Sequence, residues 1–262
     1  MDILETIVDS KRRELEELRR RIPETMLQEQ LAAISRPVLG LRDALANSPH
    51  GIIAEFKRKS PSKGWIHADI DPEDVVPVYE RGGAASVSIL TDGPFFGGSL
   101  DYICRVRPMV GIPILRKDFI IDPYQLAQAR IAGADAVLLI ASCLSPEDFR
   151  ALLAEAHRLG LEVLLEVHSP EELDYVLPEV DVVGVNNRHL GSFVTDVAVS
   201  AAMAEEMDRR GVRNLRISES GLDAPETVRR LRDKGFRGFL MGERFMREPD
   251  PGAALEAFAA AL

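Results

Sequence analysis

The amino-acid sequence predicts an α/β fold, a (β/α)8 TIM barrel with an N-terminal helical extension. The length of 262 residues is typical of this barrel. From Gly51 onward, short apolar segments alternate with segments of helical pattern, and repeated βα units of this kind imply a parallel sheet. Segments 135–140, 180–185 and 236–241 are almost entirely apolar, as strands buried on both faces are. We therefore expect a helical extension over residues 1–48 and a barrel over residues 49–262, together forming one domain.

The extension begins with a predicted helix over residues 2–21. Its apolar residues fall at helical spacing, with acids and bases on the other face: Ile3, Leu4, Ile7, Leu15 and Leu18. The basic runs 11–13 and 19–21 favour a solvated face, with contact to a phosphate as the alternative. Pro23 ends this helix or starts the next, and residues 24–34 and 39–46 are predicted to form further short helices.

The barrel is predicted as a series of strand–helix units. The predicted strands cover residues 51–56, 85–90, 112–116, 135–140, 161–167, 180–185, 212–218 and 236–241. The predicted helices cover residues 71–83, 99–109, 122–133, 145–160, a segment from Ser169, 199–210, 224–234 and 251–262. Asp71, Asp122 and Ser145 each precede a proline, a pattern typical of a helix N-cap and first turn. A closed barrel is favoured over a doubly wound sheet, because no G-x-G-x-x-G follows the first strand.

Composition narrows the class of protein and its partners. Hydrophobic residues make up 46% of the chain and charged residues 28%, which is ordinary for a soluble globular protein. The net charge is -10 and no basic stripe is present, so nucleic acid is not an expected partner, and an anionic substrate needs a local positive site. The two cysteines favour a reducing compartment, with Cys143 a core residue rather than a nucleophile. No segment resembles a signal peptide or membrane span, so we expect a cytoplasmic protein without a membrane partner.

Polar residues stand at the carboxyl ends of most predicted strands, where (β/α)8 barrels place their chemistry. In chain order they are Glu55, Lys57, Ser60, Lys117, Glu166, His168, Asn186, Arg188, Glu219, Ser220, Gly221 and Gly242. Glu55 and Lys57 are two residues apart, so their side chains point the same way, as do those of Asn186 and Arg188. Any one of these residues alone is explained as well by a surface charge. Their convergence favours an acid–base site built from lysines and carboxylates.

Two glycine-containing segments predict a phosphate site. Glu219-Ser-Gly-Leu222 follows the seventh strand and Met241-Gly-Glu243 follows the eighth, where this fold often binds phosphate. The alternative is that these glycines serve only tight turns. Ser60 and Arg188 are candidates for additional contacts. Trp65, in the loop after the first strand, either covers the top of the barrel or belongs to a lid over the substrate. The histidines are not spaced as a metal site, so no metal is expected.

A series of motifs resembles the indole-3-glycerol-phosphate synthase family of tryptophan biosynthesis. The resemblance covers about residues 50–245, and the helical segment before the barrel is similar to the N-terminal extension of that family. The motifs are Ile53-Ala-Glu-Phe-Lys-Arg-Lys-Ser-Pro-Ser-Lys-Gly64, Leu90-Thr-Asp92, Pro113-Ile-Leu-Arg-Lys-Asp-Phe119, Gly133-Ala-Asp-Ala-Val-Leu-Leu-Ile140, Leu165-Glu-Val-His168, Gly184-Val-Asn-Asn-Arg188, Ser218-Glu-Ser-Gly221 and Leu240 with Gly242. His189 departs from the aspartate common in the family, and Ser192 departs from the common threonine.

The resemblance implies a cofactor-free conversion of 1-(2-carboxyphenylamino)-1-deoxyribulose 5-phosphate to indole-3-glycerol phosphate, carbon dioxide and water. It implies that Lys117 is a general acid for ring closure. Lys57 binds the substrate carboxylate and is a candidate acid for dehydration, and Glu166 acts as acid or base. The implied supporting residues are Glu55, Asn186 and Glu219 for positioning, Ser60, Gly221 and Gly242 for phosphate binding, and Phe119 and Leu138 against the anthranilate ring. Arg188 is implied to lie near the substrate, and Ser220 and Glu243 are further candidates for substrate binding.

Two other classes of function compete with this interpretation. A related phosphosugar barrel could use Lys117 as a Schiff-base lysine, as aldolases do, or isomerise phosphoribosyl anthranilate. A catalytically silent barrel could serve as a binding subunit. The set Glu55, Lys57, Lys117 and Glu166 argues against a silent barrel, which has no need of buried charges. We expect a small phosphorylated substrate as the partner, and a monomer.

Overall fold

A computed structural model describes residues 3–189, 191 and 194–262 of the chain. Eight parallel strands form a closed barrel, in which each strand pairs with its neighbours in the chain and β8 pairs with β1. The strands are β1 (Ile52–Phe56), β2 (Ser86–Leu90), β3 (Ile114–Lys117), β4 (Ala136–Ile140), β5 (Glu162–Val167), β6 (Val182–Asn186), β7 (Leu215–Glu219) and β8 (Gly238–Met241). The predicted (β/α)8 barrel is confirmed. Of the two unusual loop residues, His189 accepts a hydrogen bond from the backbone N–H of Gly191, and Ser192 lies outside the described residues.

Helices precede the barrel and surround it. The extension contains α1 (Ile3–Arg21), α2 (Glu24–Ala32) and α3 (Leu41–Asn47). The longer helices around the barrel are Pro72–Arg81, Asp101–Val106, Pro123–Ala132, Pro146–Arg158, Ala198–Arg209, Pro225–Asp233 and Pro251–Ala260. No described helix is both long and apolar enough to cross a membrane.

The structure corrects two local predictions. The helix expected from Ser169 is a five-residue 3₁₀ helix, Glu171–Tyr175, because Pro178 disfavours helical backbone at the preceding residue and leaves too little chain for an α-helix. Asp71 stands at the N-cap position, but its carboxylate accepts from Arg105 at 3.1 Å instead of capping the helix. Asp122 and Ser145 do cap their helices, through the backbone N–H groups of Tyr124 and Asp148.

The sequence pattern did not predict several short elements at the carboxyl end of the barrel. Lys59–Ser60 and Gly64–Trp65 form a two-stranded hairpin after β1. Two four-residue helices, Gly93–Phe96 and Glu243–Met246, follow β2 and β8. These segments are too short to show a periodic pattern, and they surround the mouth of the barrel.

The extension contacts both ends of the barrel. On α1, Ile7 is buried with Phe119 and Leu138 near the carboxyl ends of the strands. On α3, Leu45 is fully buried, and the backbone N–H of Arg42 donates to Glu162 at the start of β5. The extension therefore covers the amino-terminal end of the barrel with α3 and reaches the mouth with α1.

Lys11 of α1 is buried, so the predicted solvated face is wrong at this position. Its ammonium group lies 3.2 Å from Asp92 and 3.0 Å from Asp118, which follow β2 and β3. A buried lysine is stable only when its charge is paired. Glu14 on the same helix pairs with Lys11 at 2.8 Å, and Asp92 and Asp118 supply the other two pairs. The helical pattern of α1 gave no sign of the two aspartates, because both lie about a hundred residues away in the sequence.

Candidate active site

Four charged side chains from alternate strands form one layer at the mouth of the barrel. They are Glu55 of β1, Lys117 of β3, Glu166 of β5 and Glu219 of β7. In (β/α)8 barrels, each layer of interior side chains comes from alternate strands. The ammonium group of Lys117 donates to Glu166 and to Glu219, both at 2.7 Å. The top layer of the core is thus a charged cluster that opens toward the site.

Glycines on the strands between these residues make room for the carboxylates. A Cβ atom on Gly184 of β6 would lie 2.3 Å from Oε1 of Glu219, and one on Gly242 after β8 would lie 2.6 Å from Oε1 of Glu55. Both distances are far below van der Waals contact. Gly242 therefore has a role beneath the charged layer, beside its expected role near a phosphate.

We expect Gly184→Ala to lower kcat by about 10²-fold or more, because a displacement near 1 Å in an active site has effects of that size. The added methyl group displaces the Glu219 carboxylate from Lys117. The measurement is steady-state turnover alongside a circular dichroism spectrum. Gly111→Ala is the matched control, since its nearest neighbour is the flexible end of Glu80 at 3.4 Å. Equal activity of the two variants would show that the fit of Glu219 against β6 is unimportant.

Burial and neighbouring charges shift the pKa values of Lys117, Glu166 and Glu219. Burial opposes the charge on Lys117, but Glu166 and Glu219 outweigh it and raise the pKa of this lysine. Burial also disfavours ionised Glu166, yet Lys117 and His168 hold its pKa well below the usual range. For Glu219, burial and the charge of Glu166 prevail over Lys117 and raise its pKa to about 7. Of the two carboxylates that accept from Lys117, Glu166 is therefore ionised and Glu219 titrates near neutral pH.

A largely apolar cavity of about 120 Å³ adjoins the charged layer. Its apolar wall contains Leu90, Phe96, Phe119, Leu138, Ile140 and Leu240. Phe96 and Phe119 lie with their ring centroids 6.0 Å apart. Lys117, Glu166 and Asn186 line the same cavity, so a flat ring held here would touch the acid–base groups.

A second cavity, of about 290 Å³, lies beside the first and is mainly polar. Gly221, Gly242 and Glu243 line it, together with the cationic side chains of Lys63 and Arg188. Glu243 pairs with Lys63, and its other oxygen lies 3.4 Å from Arg188. Helix Glu243–Met246 begins at this cavity, and Gly242, Glu243 and Arg244 at its start line it.

The two cavities share a wall, which makes them two ends of one site. Glu55, Lys57, Arg188, Ser220 and Leu240 line both. The ammonium group of Lys57 lies 2.8 Å from Glu55, and the hydroxyl of Ser220 donates to Asn186 at 2.9 Å. A ligand with an aromatic end and an anionic end would fit across both cavities and pass the lysines.

The structure brings nearly all of the predicted site residues together. Ser60 and His168 are the exceptions, since they line neither cavity. The buried hydroxyl of Ser60 lies 3.4 Å from that of Ser62, which lines both. Sequence reasoning missed Ser62, Lys63, Phe96, Ile140 and Thr195. Lys63 and Phe96 each precede a glycine in a short segment after β1 or β2, and such a segment gives no indication of side-chain orientation. Trp65 is 55% exposed and lines neither cavity.

Comparisons with known proteins agree with the geometry. The model of the family "Indole-3-glycerol phosphate synthase" matches residues 4–258. An indole-3-glycerol phosphate synthase of Bacteroides thetaiotaomicron is 52% identical, over 100% of this chain and 99% of its own length. One from Carboxydothermus hydrogenoformans is 42% identical over 98% and 99% of the two chains.

Solved structures resemble the chain in fold. A mutant tryptophan synthase alpha-subunit from Pyrococcus furiosus superposes with a TM-score of 0.60 at 15% identity. The match covers 81% of this chain and 97% of that one. At this identity the similarity supports the barrel fold alone.

Proposed function

The chain belongs to the indole-3-glycerol phosphate synthase family, a carboxy-lyase family of tryptophan biosynthesis, and from this premise we propose how its residues carry out the reaction. The substrate is 1-(2-carboxyphenylamino)-1-deoxyribulose 5-phosphate. A ring carbon attacks the C2′ carbonyl carbon, carbon dioxide leaves, and loss of water completes the indole. The observation that carries the assignment is Lys117, held by Glu166 and Glu219 in the wall of the apolar cavity, beside the polar cavity that contains Lys63 and Arg188.

The substrate spans the two cavities in this proposal. The phosphate binds in the polar cavity near Gly221, Gly242, Lys63 and Arg188, where cations offset the net charge of -10. The anthranilate ring packs between Phe119 and Leu138 in the apolar cavity. Lys57 lies on the shared wall, within reach of the ring carboxylate and of the sugar.

Lys117 acts as the acid of ring closure. An ammonium group has three N–H donors, and Lys117 uses two of them on Glu166 and Glu219. Nowhere in the described parts of the chain does the third donor have a partner, and Lys117 lines the apolar cavity. Attack of the ring carbon places negative charge on the C2′ oxygen, which the third N–H stabilises and protonates. Carbon dioxide then leaves and its electron pair restores the aromatic ring, so no electron-sink cofactor is needed.

Dehydration uses the remaining charged groups. The C2′ hydroxyl leaves as water after taking a proton, for which Lys57 is the assigned donor. Glu166 is the assigned base, because its low pKa keeps it ionised and able to remove a proton from the substrate. Glu55 and Asn186 hold Lys57 and Ser220 in place through the contacts already described.

The test is turnover of the carboxyphenylamino deoxyribulose phosphate, followed by the rise of indole fluorescence. We expect activity, and no labelling of Lys117 by borohydride in the presence of a sugar phosphate. A Schiff base needs a neutral amine, whereas two carboxylates hold Lys117 in its charged form. Absence of turnover would contradict the proposal, and labelling at Lys117 would assign it to aldolase chemistry.

We expect Glu243→Gln to tighten inhibition by inorganic phosphate by about threefold to tenfold, because charge-assisted contacts are the strong ones and this carboxylate competes for the same cations. Glu243 pairs with Lys63 and Arg188 inside the proposed phosphate site. The measurement is the inhibition constant of inorganic phosphate. Glu226→Gln is the matched control, since Glu226 pairs with Arg229 and neither residue lines the cavity. Weaker inhibition in Glu243→Gln would mean that this residue organises the cations rather than competing for them.

The remaining expectations belong to the same proposal. We place the enzyme in the cytoplasm as a monomer, with the extension and the barrel as one domain. Burial of Lys11 and Ile7 against the mouth of the barrel supports the last of these statements.

A further inference from the structure

His168 is a buried titratable residue that the proposed reaction does not use. It follows β5, and its side chain is 12% exposed. Its Nε2 atom lies 3.2 Å from Oε1 of Glu166, and its Nδ1 atom lies 3.3 Å from Oε2 of Glu172. The backbone N–H of His168 also donates to Glu172, at 2.6 Å. The imidazole therefore sits between two carboxylates, on the side of Glu166 away from Lys117.

We propose that His168 is a positioning residue that acts through Glu166: its imidazolium makes Glu166, and not Glu219, the ionised carboxylate beside Lys117. This inference rests on the proposed role of Glu166 as the base. It adds a residue to the machinery that lines neither cavity and so does not touch the substrate directly.

Lys117 alone does not distinguish the two glutamates, because its ammonium group lies 2.7 Å from each of them. None of the other groups that face Glu166 determines which of the two glutamates is ionised, so His168 does. Asn186 on β6 is neutral, and Glu55 on β1 acts on Lys117. Cys143 is also neutral, since burial and the charges of Glu166 and Glu172 raise the pKa of its thiol to about 12. His168 is paired with Glu166 and has no recorded contact with Glu219 in the described ranges.

Glu172 keeps the imidazole charged. Burial by itself would lower the pKa of His168, but Glu166 and Glu172 together raise it to about 10. The short 3₁₀ helix Glu171–Tyr175 directs Glu172 back to the end of β5. Of the two glutamates beside Lys117, Glu219 has the higher pKa, so a proton bound by the pair lies on Glu219. Glu166 is left free to accept a proton from the substrate.

The test is the pH dependence of kcat for His168→Gln, which removes the charge and keeps a polar side chain. We expect kcat on the acid limb of the wild-type profile to fall by about tenfold or more, with little change in KM. We also expect the acid limb of the profile to move upward by about one to three pH units, the usual effect of losing one adjacent opposite charge. Activity at high pH should approach that of wild type, because Glu166 is ionised there without help.

Several outcomes would overturn the inference. An unchanged profile would show that His168 does not set the charge of Glu166, and an equal loss at every pH would reduce its role to structure. A rise in KM at constant kcat would place it in substrate binding instead.

Glu172→Gln is an independent test of the same inference in case His168→Gln does not fold. It should shift the acid limb in the same direction but less, and an unchanged profile would overturn the inference. Glu171→Gln, at an exposed neighbouring position, is the matched control that should leave the profile unchanged. Glu166→Gln separates this inference from the function on which it rests. If Glu166→Gln keeps full turnover, the role of Glu166 itself is wrong, whatever the His168 variants do.

Discussion

Turnover by the Lys117→Ala variant is expected to be about 10³- to 10⁴-fold slower than that of wild type, the effect of losing a positioned acid and its charge. The variant loses the ammonium group that bridges Glu166 and Glu219 and presents a further N–H to the apolar cavity. KM should change much less, because the phosphate and ring contacts lie on other residues. The measurement is kcat from indole fluorescence.

A loss of activity in Lys117→Ala has to be separated from a loss of stability. Without the ammonium group, two buried carboxylates face each other, and one of them must take up a proton. The double variant Lys117→Ala, Glu219→Gln removes that repulsion. We expect it to regain stability in urea denaturation but not activity. Recovery of turnover in the double variant would show that Lys117 only neutralises the carboxylates, and that the acid lies elsewhere, with Lys57 the first candidate.

The barrel and most of the charged layer could be predicted from the sequence, and the reasons are physical. Buried strands leave continuous apolar segments, and the fold places the residue after each segment at one face. Lys117 and Glu219 could therefore be assigned to the site before their partners were known. Glu55, Lys117, Glu166 and Glu219 all stand on odd-numbered strands, so even their common layer follows from counting strands.

The parts that the sequence did not reveal depend on contacts between distant segments. The orientation of Lys63 and Phe96 is set by loops that have no periodic pattern. The raised pKa of Glu219 results from its burial beside Glu166, which no property of its own segment indicates. Lys11 looked like an exposed residue in a basic run, and only the packing of α1 on the barrel mouth buries it.

We expect Lys11→Met to lower the free energy of unfolding by about 3 kcal/mol or more, the usual cost of removing one partner from a buried ion pair. Methionine retains the unbranched side chain as far as Cε and removes only the ammonium group, so the loss reports mainly the charge. Asp92 and Asp118 lose a cation, although Asp118 keeps Arg116 at 2.9 Å. The measurement is urea denaturation at neutral pH. Arg12→Met is the matched control on the same helix, since Arg12 is 65% exposed and its loss should cost under about 0.5 kcal/mol.

The stability difference should depend on pH in a defined direction. Burial would raise the pKa of Asp118, but Arg116 and Lys11 prevail and lower it to about 2. This value is below that of an unfolded aspartate, about 3.9, so the stabilisation is complete above that pH and is lost as pH falls toward 2. The difference between wild type and Lys11→Met should therefore be constant at neutral pH and shrink below about pH 4. A difference that stays constant on acidification would mean that packing, and not the charge of Lys11, holds the extension in place.

Lys11→Met should also lower catalytic activity, because the partners of Lys11 lie next to residues of the proposed active site. Asp118 follows Lys117 directly, and Asp92 caps the short helix that carries Phe96 into the apolar cavity. With the charge of Lys11 gone, the ends of β2 and β3 keep the hydrogen bond from Thr91 to Asp118 but lose their common link to α1. We expect kcat/KM to fall by about 10- to 100-fold. Wild-type kcat/KM in a destabilised Lys11→Met would mean that α1 contributes stability alone. A decrease in both the free energy of unfolding and kcat/KM would show that the N-terminal extension supports the active site through the buried Lys11.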